Sequence, residues 1–169
     1  MRKILLTAVM LLIPSLASAN DLINSKTEPQ LYCLAQNIYY EARSSNRADQ
    51  MAVSDVVLNR VKDRRYPNTI CGVIYQGKQR PSWKDPNKMV MVRNMCQFSW
   101  YCDGKKDEPP EGDPWRNAQM VAYEMFYLYK DANITDGATH YHAFYVKPDW
   151  AKRFILKGRI GSHIFYKQK

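Results

Sequence analysis

Histidine is scarce in this sequence: three occur in 169 residues, and all lie late in the chain, at His140, His142 and His163. Zinc peptidases with an H-x-H ligand pair also need an upstream H-x-x-x-D pair, and no histidine precedes His140. A zinc site shared by the three histidines is therefore an alternative that we do not favour. We favour histidines that hydrogen-bond in a cleft or in the core, and we expect no metal and no cofactor.

The sequence also has no C-x-x-C motif, a common spacing of zinc-binding cysteines. Its four cysteines are an even number in a chain that we expect to be exported, which favours two disulfides over zinc binding. Three pairings are possible. We favour Cys33 with Cys71 and Cys96 with Cys102, because the second pair would clip a short loop and the first would tie two early elements together.

Long apolar runs are missing from the sequence after residue 19. Before it, Arg2 and Lys3 precede an apolar stretch from Ile4 to Leu16, and the small residues Ala-Ser-Ala follow at 17–19. This order is typical of a secretory signal peptide, so we expect residues 1–19 to be removed and the protein to be periplasmic or secreted. A membrane anchor is the alternative, but the run falls short of the roughly 20 apolar residues of a spanning helix and contains Pro14.

Residues 20–169 have the length of one domain with a single core, and we expect a monomer without stable membrane insertion. The formal charge of the chain is +9, and it falls by two when Arg2 and Lys3 are removed. This excess favours an anionic partner such as cell-wall polymer, lipid head groups or nucleic acid. The basic residues are scattered, without zinc-finger spacing or an RNA-binding signature, so we expect no nucleic-acid partner.

Helical periodicity dominates the first part of the remaining chain. It predicts one helix from about Glu28 to Arg43 and a second from Arg47, with Asn46 as a possible N-cap. Pro67 stops the second helix. The segment CGVIYQ at 71–76 is either a short strand or a helical turn. A later helix has Asp113 as N-cap and Pro114 at its first position, and its Met120, Tyr123 and Tyr127 are expected to pack in the core.

The segments between and after these helices indicate loops and strands. Residues 77–88 and 103–114 are predicted to be exposed excursions, and MVMVRNMC at 89–96 is apolar enough to return to the core. The runs THYHAFYV and SHIFY are β-like, and the amphipathic PDWAKRFILKG separates them. Helices first and a few short strands later predict a mostly helical α+β domain, with its cleft where the helical and strand parts meet.

Glu41 lies where the first helix should be apolar. On a helix, Leu34, Ile38 and Glu41 fall within about 60° of one another, so the glutamate faces the core or a cleft. A partly dry carboxyl has a raised pKa and can donate a proton to a leaving oxygen, as in glycoside cleavage. The alternative is a structural ion pair, for which Arg60 or Arg47 could reach Glu41.

A second carboxylate, the usual nucleophile or base of a glycosidase, does not stand out in the sequence. Asp55 is expected to be solvated on the second helix, and Asp103, Asp107 and Glu111 lie in a predicted loop. If Glu41 acts alone, the substrate must supply the missing group, as the N-acetyl group of a 2-acetamido sugar can.

The aromatic run QFSWYC at 97–102 offers surfaces on which sugar rings could stack. A strand would place Phe98 and Trp100 on one face and Gln97, Ser99 and Tyr101 on the other. One set could line a cleft, and core packing of the aromatic rings is an equal alternative.

Five blocks of this sequence resemble one family, the cell wall hydrolases of the SleB/CwlJ (spore cortex-lytic enzyme) type. The first, LAQNIYYEARSSNRADQMAVSDVVLNRV, is similar to the family's L-A-x-x-I-Y-x-E-A-R segment and the helix that follows it. The others, in the family's order, are RYPNTICGVIYQ, QFSW, GATHYHAFYVKPDWA and IGSHIFY. The sequence differs from the family in two ways. Asn46 and Arg47 stand after EAR where the family often has glycine, and the separate N-terminal wall-binding domain of the spore members is missing. The second difference counts against a spore-cortex role.

The resemblance implies a lysozyme-like fold of the lytic transglycosylase or resuscitation-promoting-factor type, with residues 20–169 as a SleB-like catalytic domain. It implies cleavage of peptidoglycan glycan strands between N-acetylmuramic acid and N-acetylglucosamine, with Glu41 as acid and base. A lytic transglycosylase forms 1,6-anhydro-muramoyl ends and consumes no water, which fits the missing second carboxylate. A hydrolytic muramidase and a non-catalytic wall-binding protein are the alternatives. The expected substrate-binding residues are Gln97, Phe98, Ser99, Trp100, Tyr141 and His142.

Overall fold

The structure, a computed structural model, describes residues 23–169, so the expected signal peptide at 1–19 lies outside the described residues. Four helices lie in the earlier part of the chain: α1 (Pro29–Ala42), α2 (Arg47–Lys62), α3 (Ile70–Ile74) and α4 (Asp113–Tyr127). The strands are β1 (Gly77–Pro81), β2 (Met89–Cys96), β3 (His140–Ala143), β4 (Ile155–Ile160) and β5 (His163–Lys167). No helix within 23–169 is long and apolar enough to cross a membrane.

The two helices predicted first are confirmed. Pro29 opens α1 at a position where a missing N–H costs nothing, and the side chain of Asn46 caps α2 by accepting a hydrogen bond from the Asp49 N–H. The ambiguous segment after Pro67 is the short helix α3. Helix α4 begins one residue earlier than expected: Asp113 is its first residue, and Gly112 takes the N-cap position.

The core forms where α1 packs against α2, α3 and α4. Leu34 and Ile38 of α1 are fully buried there, together with Val121 and Met125 of α4. The prediction for the other face of α4 is wrong: about half of the surface of Met120, Tyr123 and Tyr127 is exposed. The apolar stripe of α4 that reaches the core is the one through Trp115, Ala118, Val121, Ala122 and Met125.

The strands β1 and β2 form an antiparallel hairpin that projects from the helical part. Its second strand, MVMVRNMC, does not return to the core as predicted, because every residue of it is at least partly exposed. The excursion before it is a strand and a turn, with Trp83 88% exposed near the tip. Backbone pairing therefore holds this hairpin together, and burial of its apolar side chains contributes little.

The strands at the end of the chain form an antiparallel sheet in the order β3-β5-β4. Strands β3 and β5 are the two β-like runs of the sequence, and β4 lies in the segment that was predicted only as an amphipathic connection. Phe165 of β5 is buried against Ala52 and Val56 of α2, which docks the sheet on the helices. The predicted mostly helical α+β class, with its small β portion, is confirmed.

Two disulfides join the four cysteines in the pairing that we favoured. Cys33 of α1 is bonded to Cys71 of α3, and Cys96 at the end of β2 is bonded to Cys102. The second bond closes the aromatic segment at 97–102, for which we considered the side-chain alternation of a strand, and the structure forms no strand there. Residues Ser99–Cys102 form a 3₁₀ helix, because a bridge between cysteines six positions apart requires a compact backbone.

Candidate active site

Glu41 lies near the C-terminal end of α1, on the stripe that Leu34 and Ile38 bury. Its side chain is partly buried and faces the sheet, where the Tyr141 hydroxyl of β3 donates a hydrogen bond to Oε2 at 3.1 Å. Burial and the neighbouring Glu41 charge raise the pKa of Tyr141 well above its usual value, so the phenol stays protonated as a donor. The carboxyl is therefore held where the helical and strand parts meet.

Burial raises the pKa of the Glu41 carboxyl above its usual value of 4.5. The hydrogen bond from Tyr141 and the charges of His163 and Arg60 oppose this effect only in part. The expected alternative, a direct ion pair, is not formed: no salt bridge within 23–169 includes Glu41, and Arg47 pairs with Glu124 instead. The raised pKa favours a carboxyl that keeps its proton nearer to neutral pH.

A polar cavity of about 170 Å³ lies beside this carboxyl. It is lined by Glu41, Arg60, Cys96, Gln97, Phe98, Ser99 and Tyr141. A larger cavity of about 500 Å³ between α2, α3 and α4 has no carboxylate in its lining. The chemistry of acid catalysis is therefore available in the smaller cavity.

Four of the expected substrate-binding residues line this cavity, namely Gln97, Phe98, Ser99 and Tyr141. Phe98 is almost fully buried, so its ring forms part of the wall and is not an open platform for a sugar. Three of the four residues lie between Cys96 and Cys102. The disulfide between these cysteines closes the segment and restrains its position at the rim of the cavity.

Trp100 does not line this cavity, although it lines another one with Tyr40 and Arg43, so its role in substrate binding stays a prediction. Its side chain is 7% exposed, stacks on the Tyr40 ring at 4.6 Å and donates from Nε1 to Oδ1 of Asn37 at 3.2 Å. The 3₁₀ turn takes the place of the strand alternation and directs the indole towards α1 and away from the cavity. The alternative of core packing therefore applies to Trp100.

His142 does not line this cavity either, so its role in substrate binding stays a prediction. Strand neighbours point to opposite faces, so Tyr141 reaches Glu41 and His142 does not. The His142 ring stacks on Tyr166, with Nε2 at 3.1 Å from the Tyr166 hydroxyl, and lies against Trp150. His142 thus belongs to an aromatic cluster on the other face of the sheet.

The structure also separates the three histidines. In the register of β3 and β5, His140 and His142 share one face, whereas His163 pairs with Ala143 on the opposite face. Within 23–169, no group of three His, Cys, Asp or Glu side chains is placed to hold a metal ion. The three-histidine alternative is therefore not supported by the geometry.

Behind Tyr141 lies a buried pair that sequence reasoning missed. The His163 ring contacts the Tyr141 ring at 5.0 Å between centroids, and its Nδ1 is 2.8 Å from Oδ1 of Asp49. Asp49 is 0% exposed, and burial by itself would raise its pKa, but hydrogen bonds with His163 and the Ser162 N–H lower the pKa. In the sequence, Asp49 is an ordinary acid in the first turn of a helix and gives no signal of this role.

Asp55 is buried, contrary to the expectation that it is solvated. It accepts hydrogen bonds from the Thr135 N–H at 2.9 Å, from the Thr135 hydroxyl at 2.6 Å and from the Asn59 side chain. These donors stabilise the carboxylate and tie α2 to the loop before β3. Asp55 does not line the cavity of Glu41, so it is a structural residue.

The sequence matches the family described as Cell Wall Hydrolase over residues 44–166. Two curated proteins from Bacillus cereus, both named spore cortex-lytic enzyme, are 36% identical to the chain over 53 residues. Each match covers 31% of this chain and 20% of the relative, so the chain spans about a fifth of these relatives' length. Glu41 lies just before the residues that the family match covers.

Two solved structures share the fold. The catalytic domain of the Bacillus cereus SleB protein is 23% identical with a TM-score of 0.58, covering 83% of this chain and 91% of that domain. The catalytic domain of the germination-specific lytic transglycosylase SleB from Bacillus anthracis is 22% identical with a TM-score of 0.62, covering 86% of this chain and 100% of that domain. At these identities the likeness shows the fold, and together with the family match over most of the chain it leads to one conclusion: the chain belongs to the cell wall hydrolase family of the SleB/CwlJ type.

Proposed function

We propose that this protein cleaves the glycan strand of peptidoglycan between N-acetylmuramic acid and N-acetylglucosamine, with Glu41 as acid and base. One observation carries the proposal: Glu41 lines a polar cavity between the helices and the sheet, and burial raises its pKa. A carboxyl in this state holds a proton near neutral pH and can deliver it to a glycosidic oxygen. The family to which the chain belongs agrees with this substrate.

Glu41 first protonates the oxygen that links the two sugars, and the bond to the muramoyl C1 breaks. The carboxylate then takes the proton of the muramoyl C6 hydroxyl as that oxygen bonds to C1 and closes a 1,6-anhydro ring. The proton balance is complete, because Glu41 loses one proton and regains one. The hydrogen bond from Tyr141 to Oε2 stabilises the carboxylate form between the two steps.

The cavity composition supports a lytic transglycosylase over a hydrolytic muramidase. Among the lining residues of this cavity, Glu41 is the single carboxylate. Unless the N-acetyl group of the substrate takes its place, an inverting hydrolase needs a second carboxylate at roughly 6.5–9.5 Å to activate water, and a retaining enzyme needs one at roughly 5–5.5 Å. Attack by the C6 hydroxyl of the substrate requires neither.

We also propose that the enzyme acts outside the cytoplasm. The basic and apolar start of the chain supports export, with removal of residues 1–19 and residues 20–169 as the mature catalytic domain. The two disulfides fit an oxidising compartment, either the periplasm or the exterior.

Mass spectrometry of the fragments released from purified peptidoglycan tests the reaction and the role of Glu41 together. The mature, oxidised protein is compared with Glu41→Gln, which keeps the shape but has no proton to donate, and with Glu111→Gln, a matched control at an exposed loop position. We expect anhydro-muramoyl ends from the wild type and from Glu111→Gln, and at least a 1,000-fold loss in Glu41→Gln, the scale of several kcal/mol of transition-state stabilisation.

Each other outcome has a distinct meaning. Reducing ends would identify a hydrolytic muramidase of the same fold. Intact glycan strands that nevertheless retain the wild-type protein would identify a wall-binding protein without activity. Equal cleavage by the wild type and Glu41→Gln would make Glu41 a structural residue.

A further inference from the structure

Arg60 of α2 lines the same cavity as Glu41, although its side chain is 5% exposed. Its Nε donates a hydrogen bond of 2.7 Å to the Thr139 carbonyl, at the entry to β3. The guanidinium lies 5.3 Å from the centre of the Tyr66 ring and 5.3 Å from that of the Phe98 ring. Two aromatic contacts and one hydrogen bond thus fix the plane of the group.

One nitrogen of this guanidinium, Nη1, lacks a hydrogen-bond partner within the described residues. Nη1 is buried without a hydrogen bond, and no salt bridge of residues 23–169 includes Arg60. A buried charged donor without a partner is unfavourable, so natural proteins keep few of them. The contact with two rings offsets part of this cost but satisfies no N–H.

Glu41 does not supply the missing partner. Its charge acts on Arg60 across the cavity, but the two groups form no ion pair. When Glu41 holds the proton that acid catalysis requires, the carboxyl is neutral and Arg60 is the lone charge in the cavity lining. The Arg60 guanidinium therefore lacks a compensating negative charge in the protonated form of Glu41, which is the form that receives the substrate.

We propose that Arg60 binds an acyl oxygen of the muramoyl residue at the cleavage site. Resting on the function proposed above, this inference makes Arg60 a substrate-binding residue. A guanidinium presents parallel N–H donors that match a carbonyl or carboxylate oxygen, and such charge-assisted bonds are strong where water is excluded. The muramoyl residue offers two such oxygens, one on its N-acetyl group and one on its 3-O-lactyl group.

The binding test uses NMR of the ¹⁵N-arginine-labelled Glu41→Gln protein, which holds an oligosaccharide without cleaving it. The Arg60 Nε–Hε signal is identified by its nuclear Overhauser contacts to the Tyr66 and Phe98 rings. We titrate it with a muramoyl-containing tetrasaccharide and with chitotetraose, which has N-acetyl but no lactyl groups. The side-chain amide of Gln97, labelled in a second sample, reports occupancy of the cavity.

We expect the Arg60 signal to shift with the muramoyl tetrasaccharide. A shift with that ligand alone assigns the lactyl oxygen, and a shift with both assigns the N-acetyl oxygen. A shift of the Gln97 amide signal without a shift of the Arg60 signal would overturn the inference and leave the proposed function intact. No shift of either signal would overturn both, because the substrate would not occupy this cavity.

Kinetics supply a second, independent test. Arg60→Lys keeps the positive charge but loses the paired donors, so we expect KM to rise at least tenfold while the pH profile set by Glu41 changes little. Arg64→Lys, at an exposed position nearby, is the matched control and should leave KM unchanged. A folded Arg60→Lys protein with unchanged KM would overturn the inference that Arg60 binds the substrate.

Discussion

At the scale of single residues, the state of Glu41 results from two opposed effects. Burial disfavours its charged form, whereas one hydrogen bond from Tyr141 and the electrostatic effects of His163 and Arg60 favour it. Burial prevails, so the carboxyl is a better proton donor near neutral pH than an exposed glutamate. For the same reason, the buried Glu41 carboxylate lowers the free energy of unfolding at neutral pH, and this effect can be measured.

Replacing Glu41 by Gln is expected to stabilise the protein at neutral pH. The pKa of Glu41 is raised in the folded state, so its contribution to stability is fully present below the usual pKa of 4.5 and is lost as pH rises through the folded-state pKa. Gln loses nothing over this range. Thermal unfolding should therefore show the variant more stable than the wild type at pH 7 and nearly equal to it at pH 4. A constant difference across this range would contradict the raised pKa.

Replacing Tyr141 by Phe removes the donor to Glu41 Oε2 and keeps the ring. Because that hydrogen bond favours the carboxylate, its loss raises the pKa of Glu41 further. The alkaline limb of the profile of kcat/KM against pH should move to higher pH, and the maximum rate should fall by about 10- to 100-fold. The profile measured with the Tyr101→Phe control should match the wild type. An unmoved alkaline limb in Tyr141→Phe would exclude this coupling.

At the scale of elements, the two disulfides have different tasks. Cys33–Cys71 joins two core helices that are 38 positions apart in sequence, while Cys96–Cys102 spans six positions at the rim of the cavity. The longer loop gains more from cross-linking, because more chain entropy is removed from the unfolded state.

Serine replacement of each pair should separate stability from activity. We expect Cys33→Ser with Cys71→Ser to cost roughly 4 kcal/mol, and Cys96→Ser with Cys102→Ser roughly 2 kcal/mol, in the chain-entropy view. The second variant should nevertheless lose more activity at temperatures where both are folded, because it frees Gln97, Phe98 and Ser99. Denaturant unfolding and initial cleavage rates measure the two quantities, and the reverse order of activity losses would contradict this division.

The elements also show what sequence reasoning could reach. Helices α1 and α2 were predictable because periodicity, Pro29 and the Asn46 cap act within one helix. The β1–β2 hairpin was not predictable from apolar periodicity. The apolar residues of β2 are at least partly exposed, and pairing with β1 holds them in a strand. The 3₁₀ helix at Ser99–Cys102 was not predictable either, because the Cys96–Cys102 disulfide requires a compact backbone where the residue pattern fits a strand.

The candidate site divides in the same way. Glu41 could be found because it breaks a local apolar stripe. The contacts of Arg60 with Thr139 and of Asp49 with His163 bridge 79 and 114 positions in sequence, so they leave no local pattern. Which face of β3 meets the cavity depends on how the sheet docks, and this decides between Tyr141 and His142.

At the scale of the whole molecule, the excess of positive charge is spread over the surface. We expect it to strengthen adsorption to an anionic wall without defining the cleavage site. Pelleting of the Glu41→Gln protein with purified sacculi should fall several-fold between 50 mM and 500 mM salt, because the Debye screening length falls from roughly 14 Å to roughly 4 Å over this range. Pelleting with uncharged chitin particles is the control and should not change. Salt-independent binding to sacculi would mean that the cleft alone provides the affinity.

The contact between Tyr141 and Glu41 joins residues 100 positions apart and has a consequence for biosynthesis. While the chain is being made, α1 and its acid emerge long before β3 and β5, which supply the phenol and the buried pair behind it. A nascent or truncated chain that stops before the sheet therefore carries Glu41 without the groups that tune and orient it. In the proposed mechanism, the site that acts on the glycan is therefore complete only once the sheet has been made and has docked on the helices.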